Sequence, residues 1–128
     1  MPLIDFSVSR SRVAEAFCTS RVLAYPCHPD GPFTEGFSCT TLEAAVAGCL
    51  PVIVGADALQ EIYGDHVPTT PATMDPTFEN REHYFENLVR ALTDDEWYYT
   101  AQARAKKLAD VYNWAAVGDR LEAILGGA

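Results

Sequence analysis

The segment Gly48-Cys49-Leu50-Pro51-Val52-Ile53-Val54 constrains the fold more than any other part of the chain. Val52-Ile53-Val54 shows no polar alternation, so a strand there is covered on both faces, as in a parallel sheet. Pro51 fits the beginning of such a strand, where the first residue need not donate to the ladder. Immediately upstream, Leu42, Ala45, Val46 and Cys49 recur at i, i+3, i+4, i+7, and Gly48 fits a left-handed helix stop. A helix from Thr40 therefore runs directly into a buried strand.

The flanking sequence extends this pattern. Leu3-Ile4-Asp5-Phe6 and Val22-Leu23-Ala24-Tyr25 read as strands, the second closed by Pro26. Between them Ser9 or Ser11 can cap a helix carrying Val13, Ala14, Ala16 and Phe17. Ala58 to Tyr63 reads as a short helix and His66 to Pro76 as loop. The C-terminal third is helical. Phe85, Leu88, Val89 and Leu92 form one stripe. Asp94, Asp95 and Glu96 open the next helix, where the dipole favours negative charge. Its inward face is expected at Trp97, Ala101, Arg104, Leu108 and Val111, with Lys106 and Lys107 late. Asn113 can cap a last helix with Val117, Leu121 and Leu125 inward and Gly126-Gly127 at its end.

Alternating strands and helices in the first half mean βαβ units. The expected fold is α/β, a Rossmann-like parallel sheet flanked by helices with a helical C-terminus. A length of 128 residues fits one domain, with a β/α core over 1–68 and a helical part over 77–126. In such folds ligands bind beyond the carboxyl ends of the strands. The loop Pro26 to Ser38, with its Asp30-Gly31-Pro32 turn, is where a site is expected.

Composition narrows the function. With 18 acidic against 9 basic residues the formal charge is −9, a poor match to nucleic acid or to an anionic membrane surface. No apolar run approaches the ~18 residues of a membrane span. Residues 1–12 have neither a long apolar core nor a small-residue cleavage site, so no secretory signal is expected. Cys18, Cys27, Cys39 and Cys49 form no Cys-x-x-Cys pair. They read as reduced thiols of a cytoplasmic chain. Cys27-His28 and Asp30 lack a second pair at ligand spacing, so no metal is expected. Cys39 has no evident base beside it and reads as a packing residue, not a nucleophile.

The chemistry concentrates in Glu35-Gly36-Phe37-Ser38-Cys39-Thr40-Thr41-Leu42-Glu43. If a helix begins near Ser38, the N–H groups of Ser38 to Thr41 lack intrahelical partners. The helix dipole adds about half a positive charge there, which suits a phosphate or diphosphate. Gly36 allows close approach of the backbone. Glu35 can accept hydrogen bonds from ligand hydroxyls. Glu43, up to ~12 Å further on at about 1.5 Å per residue, can accept from a second hydroxyl pair. A sugar, a diphosphate and a ribose in line match this layout. The same two glutamates also fit a plainer reading, one favouring the dipole and the other solvated.

Val22 to Glu61 resembles the nucleotide-sugar site of retaining GT-B glycosyltransferases, the group 1 or family 4-like group. The resemblance is carried by Tyr25-Pro26, Glu35-Gly36-Phe37, Glu43-Ala44-Ala45-Val46-Ala47-Gly48, Pro51-Val52-Ile53-Val54 and Glu61-Ile62. A weaker likeness extends from Leu3 to about Trp114. The resemblance implies the later part of a C-terminal donor-binding domain, transfer with retention, no cofactor and no obligatory metal. It implies that Glu35 contacts the donor sugar as the catalytic-site residue. Gly36, Phe37, Ser38, Cys39 and Thr40 would hold sugar and phosphate, and Glu43 the ribose. The expected partner is a nucleoside-diphosphate sugar, with transfer of a hexosyl group to an acceptor.

The chain departs from the family where Ser38 replaces a frequent glycine. The loop Cys27 to Thr34 is also longer than the minimal version. The family's diphosphate-binding basic residues and acceptor domain have no counterpart, and Arg10, Arg12 and Arg21 do not match those basic positions. The free edge of the first strand then calls for a missing N-terminal half or self-association. A non-catalytic binding or interaction module on the same fold is the alternative function.

Overall fold

The computed structural model describes residues 8–26, 37–56, 58–72 and 78–126. Ten elements follow in order: α1 (Arg10–Thr19), β1 (Val22–Tyr25), α2 (Cys39–Ala47), β2 (Leu50–Gly55), α3 (Leu59–Tyr63), β3 (Thr69–Pro71), α4 (Phe78–Thr93), α5 (Asp95–Lys106), α6 (Leu108–Val111) and α7 (Trp114–Gly126). The strand expected at Leu3 to Phe6 lies outside the described residues.

The described strands form a parallel sheet in the order β1-β2-β3. Val22 to Tyr25 pair with Leu50 to Ile53, and Ile53 to Gly55 pair with Thr69 to Pro71. β2 is thus the middle strand. Leu50, Val52 and Ile53 are fully buried, and successive side chains point to opposite faces, so both faces of β2 are covered. The unalternating run signalled this burial. Fully burying each aliphatic side chain contributes about 1.5–3 kcal/mol.

β3 corrects the expectation of loop from His66 to Pro76. Among the described residues Thr69-Thr70-Pro71 has one neighbouring strand, and it carries no apolar alternation and a proline. It is held by its ladder to β2 and by buried Thr70, whose Oγ1 lies 2.9 Å from His83 Nδ1 on α4.

The helix starts follow local chemistry. Ser9 caps α1, its hydroxyl accepting from the Arg12 N–H at 3.3 Å. Asp94 caps α5 by accepting from the Trp97 N–H at 3.0 Å. Asn113 Oδ1 accepts from the Ala116 N–H at 2.8 Å at the start of α7. Gly48 ends α2 at φ 93°, in the left-handed region that glycine enters without a Cβ penalty.

The inward faces of the C-terminal helices match expectation at Leu88, Trp97, Ala101 and Leu108 and differ elsewhere. On α4 the buried row is Tyr84 and Ala91, with Leu88 packed against the core; Phe85, Val89 and Leu92 are exposed. On α5 Tyr98, Ala101 and Ala105 are buried and Arg104 is exposed, with Leu108 of α6 continuing the row. On α4 the buried row lies one position away from the bulkier stripe; on α5 and α6 Ala101 and Leu108 are buried as expected, while Tyr98 is buried beside half-buried Trp97 and Ala105 takes the place expected for Arg104. α4 packs against all three strands, and α5 against α2, α4 and β2. α7 buries none of its residues, so Val117, Leu121 and Leu125 are exposed, not inward.

Arg21, just before β1, ties the sheet to these helices. Its Nε donates to the Ala91 carbonyl at 2.8 Å, its Nη2 pairs with Asp95 at 2.7 Å, and its guanidinium lies 4.0 Å over the Tyr98 ring. The Tyr98 hydroxyl lies within donating distance of two carbonyls, Arg21 at 3.0 Å and Gly48 at 3.2 Å. Gln102 Nε2 also donates to the Gly48 carbonyl at 2.6 Å.

Candidate functional site

The start of α2 follows the carboxyl end of β1, the side of a parallel sheet where ligands bind. Its N-cap is Ser38 at φ 55° and ψ 78°, the left-handed region. Ser38 is the described non-glycine residue with positive φ. Its hydroxyl lies 2.8 Å from Thr41 Oγ1 and accepts from the Thr41 N–H at 3.3 Å. The Ser38 carbonyl also accepts from the N–H groups of Thr41 and Leu42.

Thr41 is therefore engaged, although it was expected to offer a free N–H. Among the described residues the N–H groups of Cys39 and Thr40 have no acceptor, and both residues are exposed. With the Ser38 N–H, which likewise has no acceptor among the described residues, three of the four expected donors remain at the positive end of a nine-residue helix. Exposed Cys39 is not the buried packing residue expected from sequence. Cys18 is exposed as well, and Cys49 is buried.

Tyr63 on α3 supports this helix start. Its side chain is fully buried, and its hydroxyl lies 2.7 Å from the Phe37 carbonyl and 3.0 Å from that of Ser38. The Phe37 ring packs 6.0 Å from Tyr63 and edge-on to Tyr112 at 5.2 Å. No spacing rule links Tyr63 to residues twenty-five positions upstream, so sequence reading missed it.

Glu43 lies four residues beyond Cys39, on the same helix face and about 6 Å along the axis. It is exposed and makes no ion pair or side-chain hydrogen bond among the described residues. It lines a groove of ≈ 470 Å³ between α1 and α2, together with Arg10, Ala14, Phe17, Cys18 and Ala47. Arg10 thus shares a groove with Glu43, whereas Arg21 is committed to Ala91, Asp95 and Tyr98.

Cys39, Thr40 and Glu43 are exposed at the start of α2, whereas Ser38 is buried and Phe37 half-buried. Glu35, Gly36, Cys27, His28 and Asp30 lie outside the described residues. Among the described residues no cluster of three or more His, Cys, Asp or Glu side chains could hold a metal ion. No described helix is long and apolar enough to cross a membrane. Fold and surface together define an α/β protein with a small all-parallel sheet flanked by helices. Comparison with protein-family models, curated proteins and solved structures finds no match.

Proposed function

We propose that the chain is the donor-binding portion of a retaining, cytoplasmic glycosyltransferase of Rossmann-like, GT-B type. It would bind a nucleoside-diphosphate sugar whose hexosyl group passes to an acceptor held elsewhere. The observation that carries the proposal is the pairing of the unsatisfied Cys39 and Thr40 N–H groups with the uncommitted Glu43 carboxylate on the same helix face. Anionic phosphate oxygens suit the first pair of groups, and vicinal ribose hydroxyls suit the carboxylate. Glu35 is assigned to the donor sugar by resemblance.

Titration calorimetry with uridine, guanosine and adenosine diphosphate sugars tests this reading. Glu43→Ala removes a charged hydrogen-bond acceptor worth about 1.5–3 kcal/mol, so the affinity should fall roughly 10- to 100-fold. Intact, folded protein that binds none of these donors would sink the proposal.

A second reading, a non-catalytic interaction module, is favoured by the exposed Phe85, Val89 and Leu92 on α4 and Val117, Leu121 and Ile124 on α7. Contiguous exposed apolar stripes mark interaction surfaces. Sedimentation equilibrium tests its self-associating form, and a monomer across micromolar concentrations counts against it.

A further inference from the structure

We propose a second ligand site, for a small molecule bearing a phosphate-like oxyanion, in the cleft between α4, α5 and the turn entering β3. The cleft measures ≈ 280 Å³, and the polar side chains lining it include His66, Thr69, His83, Asn87, Thr100 and Arg104. Trp97 forms part of its wall. It adjoins the amino-terminal end of β3, whereas the start of α2 follows the carboxyl end of β1, so this inference does not rest on the proposed donor site.

The donor set is specific. Among the described residues that line the cleft there is no carboxylate, although the chain carries 18 acidic and 9 basic residues. The Arg104 guanidinium has no ion pair or hydrogen bond among the described residues, and neither does the Asn87 amide. His66 Nδ1 is buried without a hydrogen-bond partner. Such an atom ordinarily finds a partner in protein, water or ligand. His83 shares Nδ1 with Thr70 Oγ1 at 2.9 Å. When that hydroxyl donates, the ring proton sits on Nε2 and is free to donate. A guanidinium fork, an amide and an imidazole N–H, with no carboxylate among the described lining residues, make a receptor for an oxyanion. The volume equals about nine waters at ~30 Å³ each, room for more than a bare anion. A phosphorylated small polar molecule, such as a sugar phosphate, fits these terms.

Amide and side-chain NMR titration of the intact chain in 150 mM sodium chloride tests the site, using inorganic phosphate, glucose 6-phosphate, acetate and glucose. Expected is a saturable shift of Gly64, Val67, Thr69, Asn87 and the Arg104 guanidinium with glucose 6-phosphate, a weaker one with phosphate and none with glucose. Arg104→Gln and His83→Gln should each weaken glucose 6-phosphate at least tenfold, with unchanged spectra elsewhere. Saturation of these residues by acetate, lost in Arg104→Gln, would support the oxyanion site with carboxylate as its source. Absence of saturable shifts from every anion, or equal affinity in folded Arg104→Gln, would overturn the proposal.

Discussion

Replacing Ser38 by alanine and by glycine should give stabilities in the reverse of their helix-propensity order. Both variants lose the hydroxyl that contacts Thr41 Oγ1 and the Thr41 N–H. Their difference therefore isolates a Cβ held at φ 55° and ψ 78°. A Cβ in the left-handed region costs about 1–2 kcal/mol. Glycine's larger unfolded-state entropy returns about 0.4–1 kcal/mol of that to alanine. The net expectation is that Ser38→Gly is more stable than Ser38→Ala by about 1 kcal/mol. Inside a helix the order would be the opposite, with glycine worse by about 1 kcal/mol. Urea denaturation followed by circular dichroism resolves the two cases. With a slope of about 1–3 kcal/mol/M, the midpoints should differ by roughly 0.3–1 M at equal slope. An alanine variant with a midpoint at or above that of the glycine variant would refute the left-handed cap.

Two further predictions bear on the core and on its titrating groups. Leu108→Ala should cost about 2–5 kcal/mol because Leu108 is fully buried, whereas Leu121→Ala on exposed α7 should stay within about 0.5 kcal/mol; equal losses in thermal melts would contradict the assigned faces. Stability should also fall in alkali. Burial raises the Cys49 thiol above its ordinary 9.0. Burial likewise raises the Tyr98 phenol above its ordinary 10.0, against the lowering influence of Arg21. Because the folded values are raised, the unfolded chain loses these protons first. The stability they contribute is complete below the ordinary values and is lost as pH rises through the folded ones. Each group steepens the decline by at most about 1.36 kcal/mol per pH unit. Cys49→Ala should flatten the limb that starts near 9.0, and an unfolding free energy constant from pH 8 to 10.5 in the unsubstituted chain would disprove the linkage.

The elements legible in the sequence were those whose signal is local. Val52-Ile53-Val54 announced a doubly covered strand, Gly48 a helix stop, and Asp94 and Asn113 helix starts, because each acts within a few residues. β3 was not legible, since three polar or proline-containing residues form a strand only when β2 is already beside them. The helix faces were misassigned in part, for a related reason. Counting apolar bulk selects Phe85, Val89 and Leu92, but close packing against a sheet and a neighbouring helix selects Ala91 and Ala105, whereas Ala101 and Leu108 were placed inward from their spacing alone. At the candidate site, the free N–H groups of Cys39 and Thr40 follow from where the helix starts. The occupation of the Thr41 N–H, the left-handed Ser38 and the support from Tyr63 depend on tertiary placement that no spacing encodes.

Arg21 has a consequence for how the chain comes to be folded. Its side-chain partners lie 70 and 74 residues ahead, and the Tyr98 hydroxyl reaches back 77 residues to its carbonyl. Loops of that length close late and slow the search for the native state. A chain emerging from the ribosome can pair β1 with β2 early, but the entry to β1 stays unpinned until α5 has been synthesised. The order of synthesis thus leaves the first described strand waiting on a helix in the last third of the sequence.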